Sequence, residues 1–198
     1  MLKRLFDIIV SAAGILLLSP FFVITAAIIK LDSKGPVFYR GVRVGRKGKL
    51  FKIYKFRTMV ADADRIGGSS TPEDDPRVTR IGGMLRKFKL DELPQLLNVL
   101  EGDMSFVGPR PEVSFYVNMF KEEEKVILNV KPGITDWASL WNSNEGAVLA
   151  GSSDPEKIYM EKIRPEKIKL QLKYIKEQSF SVDLKIIFLT LRKIVFRI

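Results

Sequence analysis

Two residue types are missing from this chain of 198 residues, which contains no cysteine and no histidine. Without cysteine the chain has no disulfides, no thiol nucleophile and no thiolate metal ligands. Without histidine it has no Ser-His-Asp triad, no histidine general base and no His-ligated zinc. Any acid, base or nucleophile in this chain must therefore be a carboxylate, a hydroxyl, a lysine or a tyrosine.

Acidic residues are also in deficit, with 23 Asp and Glu against 33 Lys and Arg and a formal charge of +10. Such an excess indicates an anionic partner, which can be nucleic acid, anionic lipid or a phosphorylated substrate. Composition alone does not choose among these partners. The basic residues flank the most apolar stretches at the two ends of the chain, however, and this distribution favours a membrane surface.

The first apolar stretch, residues 8–29, carries no formal charge and is long enough for a helix to span the hydrocarbon core. A signal peptide is less compatible, because no small-residue cleavage site precedes a polar start. Ser19-Pro20 in the middle predicts a break or kink. Basic residues on both sides give no preferred crossing direction. A helix-break-helix that re-enters one leaflet satisfies both observations, and a kinked spanning helix is the alternative.

The second apolar stretch, residues 181–198, predicts an interfacial amphipathic helix that begins at an N-cap, Ser181. A core helix of a soluble domain is the alternative. The basic side chains that favour the membrane interface are Lys185, Arg192, Lys193 and Arg197.

The middle of the chain begins with a predicted β-hairpin over residues 35–59, because two runs of strand-forming residues flank a glycine-containing turn at 45–48. Alternation in the second run predicts that Lys52, Lys55 and Arg57 share one face, which either faces solvent or contacts phosphate. Residues 62–75 predict a loop. Residues 78–89 predict a short basic helix.

The segment LDELPQLLNVLEGDM, residues 90–104, carries two adjacent carboxylates, Asp91 and Glu92. Asp91 is a suitable N-cap for a helix that has Pro94 in its first turn and stops at Gly102. Its predicted inward residues are Leu93, Leu96, Leu97 and Leu100. An acidic first turn is favoured in any helix, so this pair alone does not indicate catalysis.

Two arginines near this segment suit phosphate binding. Arg86 precedes the carboxylates, and Arg110 lies between Pro109 and Pro111 in a rigid turn that fixes the direction of its guanidinium. A carboxylate that attacks a diphosphate needs such cations, or a divalent metal, to offset the charge of the phosphate oxygens.

Taken in order, these elements resemble the small monotopic phosphoglycosyl transferases, also called bacterial sugar transferases. The elements are Lys3-Arg4 with Asp7, Ser19-Pro20, FKIYKFRTM, LDELPQLLNVLEGDMSFVGPRP and KPGIT. The resemblance implies an α+β, monotopic membrane protein of the bacterial inner membrane. It implies a re-entrant membrane helix in residues 1–34, a cytoplasmic catalytic domain in 35–180 and a C-terminal interfacial amphipathic helix in 181–198.

The resemblance also implies a reaction in two steps. Asp91 attacks the sugar-linked phosphate of a UDP-sugar and releases UMP, and a polyprenol phosphate of the undecaprenyl type then takes the sugar phosphate. Mg²⁺ is the implied cofactor, with Asp91 and Glu92 as its ligands. The implied phosphate- or nucleotide-binding residues are Arg86, Arg110, Lys55, Arg57 and Lys131. Anionic membrane lipids are expected partners, nucleic acid is not, and a homodimer is an open possibility.

Two positions depart from the family pattern, with Lys131 where arginine is frequent and Asp136 where glycine is frequent. Lysine lacks the bidentate fork of arginine, and Asp136 suggests a different sugar pocket. Residues 137–161 are the expected place for sugar recognition, through Trp141, Asn142 and Asn144. A packed pair of tryptophans is the alternative interpretation of this segment.

Two other functions compete with this interpretation. A basic membrane-tethered binding module explains the charge and the apolar ends, but leaves the carboxylate pair without a role. A glycosidase needs two carboxylates about 5 to 9 Å apart across a sugar, which adjacent residues at a helix start rarely provide.

Overall fold

The computed structural model describes residues 1–63 and 71–196. Part of the predicted loop 62–75, residues 64–70, lies outside the described residues, as do Arg197 and Ile198 of the predicted C-terminal helix. The α-helices are α1 (Leu2–Asp32), α2 (Arg80–Lys87), α3 (Gln95–Glu101), α4 (Ser114–Val117), α5 (Trp137–Trp141), α6 (Glu145–Leu149), α7 (Pro155–Ile158), α8 (Arg164–Glu177) and α9 (Phe180–Phe196). The strands are β1 (Phe38–Tyr39), β2 (Val42–Val44), β3 (Leu50–Lys52), β4 (Lys55–Phe56), β5 (Ser105–Val107) and β6 (Gly133–Thr135). Short 3₁₀ helices cover Arg46–Gly48, Leu90–Glu92 and Lys125–Asn129. A short π-helical segment covers Tyr159–Ile163.

Helix α1 lies against the rest of the protein along its whole length. Its buried residues Asp7, Ser11, Thr25 and Ile29 recur at helical spacing and form one stripe. The opposite face exposes large apolar side chains, among them Leu5, Ile9, Leu16, Leu17, Val23, Ile24 and Leu31. Within the described residues α1 is also the one helix that is long and apolar enough to cross a membrane.

The predicted break at Ser19-Pro20 is wrong for the secondary structure, because α1 continues through both residues. Pro20 has no N–H to donate to the carbonyl oxygen of Leu16, four residues earlier. The Ser19 hydroxyl donates to that oxygen instead, at 2.8 Å. The serine therefore satisfies the acceptor that the proline leaves free, and the helix proceeds.

Polar contacts fix the beginning of α1 to the domain. The Lys3 ammonium donates to the Asp183 carboxylate of α9 at 2.7 Å and to the Tyr174 hydroxyl at 2.9 Å. The Asp7 carboxylate accepts from the backbone N–H of Phe106 in β5 at 3.2 Å. Lys3 and the buried Asp7 thus anchor the amino end of α1 to the domain.

Arg57 fixes the other end of α1. Its guanidinium donates to the carbonyl oxygens of Ser33 at 2.6 Å and of Lys34 at 2.8 Å, just beyond the last turn of the helix. A cation at a helix carboxyl end also opposes the negative end of the helix dipole. Ile29 packs beside it on Phe56.

The predicted hairpin over residues 35–59 is confirmed. Strands β1 and β4 pair antiparallel with Phe38 opposite Phe56, and β2 and β3 pair with Val44 opposite Leu50 around the turn at 46–48. Between the two pairs the Asn98 side chain replaces a strand partner, accepting from the Tyr54 N–H at 2.8 Å. This interruption separates the basic residues, and the prediction of one shared basic face is wrong. Lys52 is exposed, whereas Lys55 and Arg57 point to different partners.

Strands β5 and β6 run parallel and carry the Pro-Arg-Pro turn at their ends. A Cβ on Gly133 would lie 2.1 Å from the backbone nitrogen of Gly108, so both positions need glycine for the chains to approach. Helix α9 packs behind this pair, where Ile186 meets Val107. It begins at Phe180, with the Ser179 hydroxyl accepting from the Val182 N–H at 3.3 Å, so the predicted N-cap Ser181 is two residues too late.

Candidate active site

The two carboxylates lie in a tight turn between α2 and α3. The 3₁₀ turn Leu90–Glu92 precedes Pro94, and α3 then runs to Gly102, whose φ of 94° ends the helix as predicted. Asp91 does not cap the helix, because the 3₁₀ turn places it one turn before α3. Its Oδ1 atom is buried and has no hydrogen-bond partner among the described residues.

Asp91 and Glu92 open into a cleft of about 1580 Å³. Pockets for drug-sized ligands have volumes of about 300 to 1000 Å³, so this cleft has room for more than one small ligand. Its walls come from the hairpin, α2, the Pro-Arg-Pro turn, the start of α6 and the end of α9. Residues that represent these walls are Lys55, Arg86, Arg110, Asn144 and Lys193.

Glu92 is held by two cations. Lys55 Nζ donates to its Oε1 at 2.7 Å, Arg110 Nη1 donates to its Oε2 at 3.2 Å, and Arg110 Nη2 donates to Oε1 as well. Burial acts to raise the pKa of Glu92, but Arg110 and Lys55 outweigh it and hold the pKa well below its ordinary value. In return, Glu92 raises the pKa of Arg110. Glu92 is therefore ionised and fixed.

Asp91 has the opposite environment although it is the adjacent residue. It is 7% exposed, and burial raises its pKa above the ordinary value. Lys55 opposes this rise and the charge of Glu92 adds to it. A buried carboxylate with an unpartnered oxygen and a raised pKa is more basic, and so more nucleophilic once ionised, than a solvated one.

Arg86 reaches the centre because α2 lies close to the backbone of Thr58, two residues after β4. A Cβ on Gly82 would lie 2.0 Å from the carbonyl oxygen of Thr58, so glycine permits this approach. Arg86 Nε then donates to the Thr58 hydroxyl at 2.8 Å. This bond leaves the rest of the guanidinium, which interacts electrostatically with Asp91, on the cleft wall.

Arg110 is positioned from behind by Asp136. This carboxylate is fully buried and accepts from the Arg110 backbone N–H at 3.3 Å and from the Ser139 N–H at 2.7 Å. Asp136 therefore both caps α5 and fixes the Pro-Arg-Pro turn. Asp136 is not part of the cleft wall in the described chain, so the hypothesis that it forms a sugar pocket is not supported.

Two predicted phosphate-binding cations are not brought to the centre. The Arg57 guanidinium is used by the end of α1, although the residue borders the cleft. Lys131 lies beside Gly102 and the Arg4 guanidinium at the far end of α3, away from the described cleft wall. Lys131 therefore lies next to the cation of Arg4 and away from Asp91 and Glu92.

The residues of the expected sugar-recognition segment lie in different environments, some in the core and some on the cleft wall. Trp137 packs in the core beside Val107, with the ammonium groups of Lys173 and Lys185 over its ring at 5.7 and 5.9 Å. Asn144 does line the cleft, as does Glu145. The packed interpretation is therefore confirmed for Trp137. Residues 143–146 and Tyr159 are the parts of the segment that line the cleft.

Gln95 was not predicted as a site residue, yet it is 1% exposed and lines the cleft with an amide nitrogen that has no partner within the described chain. Its spacing of four residues from Asp91 in the predicted helix was an available signal. A second missed feature is the pair of Lys167 and Glu112, 2.5 Å apart, on the cleft wall beside Arg110. Nothing in the local sequence joins residues so far apart.

The donor set fits Mg²⁺ only in part. Within the described residues no group of three or more acidic, His or Cys side chains could hold a metal. Of the two predicted ligands, Glu92 has both oxygens bound by cations, which leaves the Asp91 carboxylate as the available one. Mg²⁺ is commonly bound by one or two carboxylates together with substrate phosphates and waters, so Asp91 can hold it only with a phosphorylated substrate.

Comparisons with known proteins agree with this geometry. A family model described as bacterial sugar transferase matches residues 1–197. The chain is 40% identical over 193 residues to the uncharacterized sugar transferase EpsL of Bacillus subtilis, covering 98% of this chain and 87% of that protein. The chain therefore belongs to the bacterial sugar transferase family.

Two longer relatives carry more specific names. The chain is 39% identical over 196 residues to the UDP-N-acetylgalactosamine-undecaprenyl-phosphate N-acetylgalactosaminephosphotransferase of Aeromonas hydrophila. It is 41% identical over 199 residues to the UDP-glucose:undecaprenyl-phosphate glucose-1-phosphate transferase of Escherichia coli. Each match covers 98% of this chain but only 43% and 40% of those two proteins.

Proposed function

We propose that this protein transfers a sugar phosphate from a UDP-sugar to undecaprenyl phosphate, through a covalent intermediate on Asp91. The observation that carries the proposal is the buried, unpartnered Oδ1 of Asp91 at the floor of a cleft lined by Lys55, Arg86 and Arg110. The names of the two longer relatives supply the donor and acceptor classes. A binding module without catalysis would give no role to this carboxylate.

In the first step an Asp91 oxygen attacks the phosphorus bonded to the sugar. The bond from that phosphorus to the bridging oxygen breaks, UMP leaves with the bridging oxygen, and an acyl phosphate that joins Asp91 to the sugar phosphate remains. In the second step an oxygen of the polyprenol phosphate attacks the same phosphorus and the Asp91 carboxylate leaves. Arg86 and Arg110 offset the charge of the phosphate oxygens, and Glu92 keeps Arg110 and Lys55 in place.

Mg²⁺, when bound, would offset charge on the diphosphate, with Asp91 as the protein ligand. We expect EDTA to suppress UMP release and Mg²⁺ to restore it. Full activity after exhaustive chelation would remove the metal from the proposal.

The membrane arrangement we propose is monotopic, with α1 in one leaflet and the catalytic domain on the cytoplasmic face of the inner membrane, where nucleotide sugars are made. Its support is that the domain holds both ends of α1, through Lys3 and Asp7 at one end and Arg57 at the other. A helix that crosses a bilayer has its ends on opposite sides, and one small domain cannot contact both ends.

Substitution of Asp91 tests the chemistry. Asp91→Asn keeps the shape of the side chain and removes the nucleophilic charge, so we expect no UMP release above background from a panel of UDP-sugars. Asp103→Asn is the matched control, because Asp103 pairs only weakly with Lys49 at 3.8 Å outside the cleft. Near-normal turnover of Asp91→Asn would exclude the covalent mechanism.

Cysteine labelling tests the membrane arrangement, and the absence of native cysteine makes it direct. Leu2→Cys and Lys34→Cys lie at the two ends of α1, and a membrane-impermeant maleimide should reach both from the same side. Labelling of the two positions from opposite sides would establish a spanning helix.

A further inference from the structure

Two lysines of this chain have a left-handed backbone. Lys47 has φ 57° and ψ 28°, and Lys89 has φ 57° and ψ 20°. This conformation is uncommon for residues other than glycine, asparagine and aspartate, and it is strained. Lys47 occupies the hairpin turn, where a positive φ is ordinary. Lys89 occupies the junction between α2 and the turn that holds Asp91.

The backbone at Lys89 sets the direction in which the chain enters the carboxylate turn. Its N–H donates to the Arg86 carbonyl oxygen at 3.0 Å, which closes α2. Its carbonyl oxygen accepts from the Glu92 N–H at 3.4 Å, which begins the next turn. Glycine or asparagine would adopt this conformation with less strain, so the backbone alone does not account for lysine here.

The side chain of Lys89 lies on the cleft wall. Among the described residues its ammonium has no hydrogen-bond or ion-pair partner, whereas Lys55 and Arg110 are bound to Glu92 and Arg86 is bound to Thr58. Lys89 is exposed on this wall and lies near enough to interact electrostatically with Glu92 and Asp91. It is therefore a cation of the cleft wall whose charge is not already used by a protein group.

We propose that Lys89 binds a phosphate of the substrate in the cleft, and that the strained backbone is retained because it directs this ammonium beside Asp91. The inference rests on the proposed function for the identity of the phosphate. That phosphate belongs either to the diphosphate of the UDP-sugar or to the polyprenol phosphate acceptor. A point charge on a flexible stem suits contact with either.

Three variants test the proposal. Lys89→Asn removes the charge and keeps a residue that tolerates the left-handed backbone, Lys89→Arg keeps the charge, and Lys47→Asn makes the same change at the other left-handed lysine. KM for the UDP-sugar and KM for polyprenol phosphate are measured separately, together with the melting temperature. We expect Lys89→Asn to raise one KM about 10- to 100-fold, the range for a charged hydrogen bond, without lowering the melting temperature.

The KM that rises identifies the phosphate, since a higher KM for the UDP-sugar indicates the donor and a higher KM for polyprenol phosphate indicates the acceptor. Lys89→Arg should recover part of the lost affinity, and Lys47→Asn should change neither KM. Two unchanged KM values for Lys89→Asn, or the same rise for Lys47→Asn, would overturn the proposal.

Equilibrium dialysis with UDP separates this inference from the proposed function. If the wild type binds UDP but releases UMP from no UDP-sugar, the transferase function fails. Weaker binding of UDP, or of undecaprenyl phosphate in a matched detergent-micelle assay, by Lys89→Asn than by Lys47→Asn would then still support the phosphate contact. Equal binding of both ligands by the two variants would overturn it.

Discussion

The cleft contains two groups of buried charges that differ in how completely they are paired. At the centre, Glu92 is bound by Lys55 and Arg110, but the neighbouring Asp91 keeps an oxygen without a partner. On the far wall, the Lys167 ammonium lies 2.5 Å from Glu112 and 3.2 Å from the Tyr159 hydroxyl.

This difference separates a reactive group from a structural one. Burial acts to lower the pKa of Lys167, but Glu112, Tyr159 and Glu145 outweigh it and raise the pKa, so the lysine is ionised and fixed. Glu112 directly follows Pro111, so its ion pair with Lys167 anchors the end of the Pro-Arg-Pro turn. Fully paired charges position the site, whereas the incompletely paired carboxylate is the one available to react.

Among the variants that test this difference, substitution of Glu92 should have the largest effect. Glu92→Gln removes the charge that orients Lys55 and Arg110, and we expect kcat/KM for UMP release to fall about 100-fold or more. Glu101→Gln, at the end of α3 and outside the cleft wall, is the control. A change within threefold would show that Glu92 does not organise the centre.

Breaking the structural pair should act mainly on stability. Lys167→Met leaves the Glu112 carboxylate buried without a cation, which costs about 3 to 5 kcal/mol and lowers the melting temperature by about 10 °C. Intrinsic fluorescence in detergent follows this change. Glu112→Gln added to Lys167→Met should restore part of the loss, and if the double variant melts even lower, the pair is not the source of the effect.

In the proposed mechanism, the acid limb of the pH dependence of UMP release reports the ionisation of Asp91. Protonation of Asp91 would abolish attack, and its pKa is raised, so the rate should fall as pH decreases through a value above the ordinary 3.8. Glu92 stays ionised there because its pKa is lowered. Lys55→Met removes a cation that lowers the pKa of Asp91 and should move this acid limb to higher pH, whereas Lys52→Met should not. An acid limb that stays in place or moves lower contradicts the assignment.

The smallest expected effect is a loss of stability when the Tyr159 hydroxyl is removed. Tyr159→Phe removes a hydroxyl that lies within hydrogen-bond distance of Lys167 and Glu112 but leaves their ion pair, so about 0.5 to 1.5 kcal/mol should be lost. The melting temperature should fall by about 2 to 4 °C. A loss as large as that of Lys167→Met would show that the hydroxyl, not the ion pair, holds the wall together.

Local patterns predicted the hairpin, the α2 segment and the end of α3, and the family resemblance implied that Lys55, Arg86 and Arg110 belong to the site of the carboxylates. They did not predict that Arg57 would be used by α1 or that Lys131 would lie beside Arg4, because a cation's partner depends on distant backbone. The pairing of Lys167 with Glu112 was not predicted for the same reason. The N-cap expected of Asp91 failed because the 3₁₀ turn moved it out of the first helical turn.

The attachment of α1 along the domain has a consequence for how the protein can be produced. Deleting residues 1–34 would remove the carbonyl acceptors of the buried Arg57 guanidinium and uncover Phe56. The amino-terminal helix is thus part of the hydrophobic core as well as a membrane anchor. Truncation should yield an aggregating fragment and not a soluble enzyme, so detergent or lipid must accompany the chain from synthesis to assay.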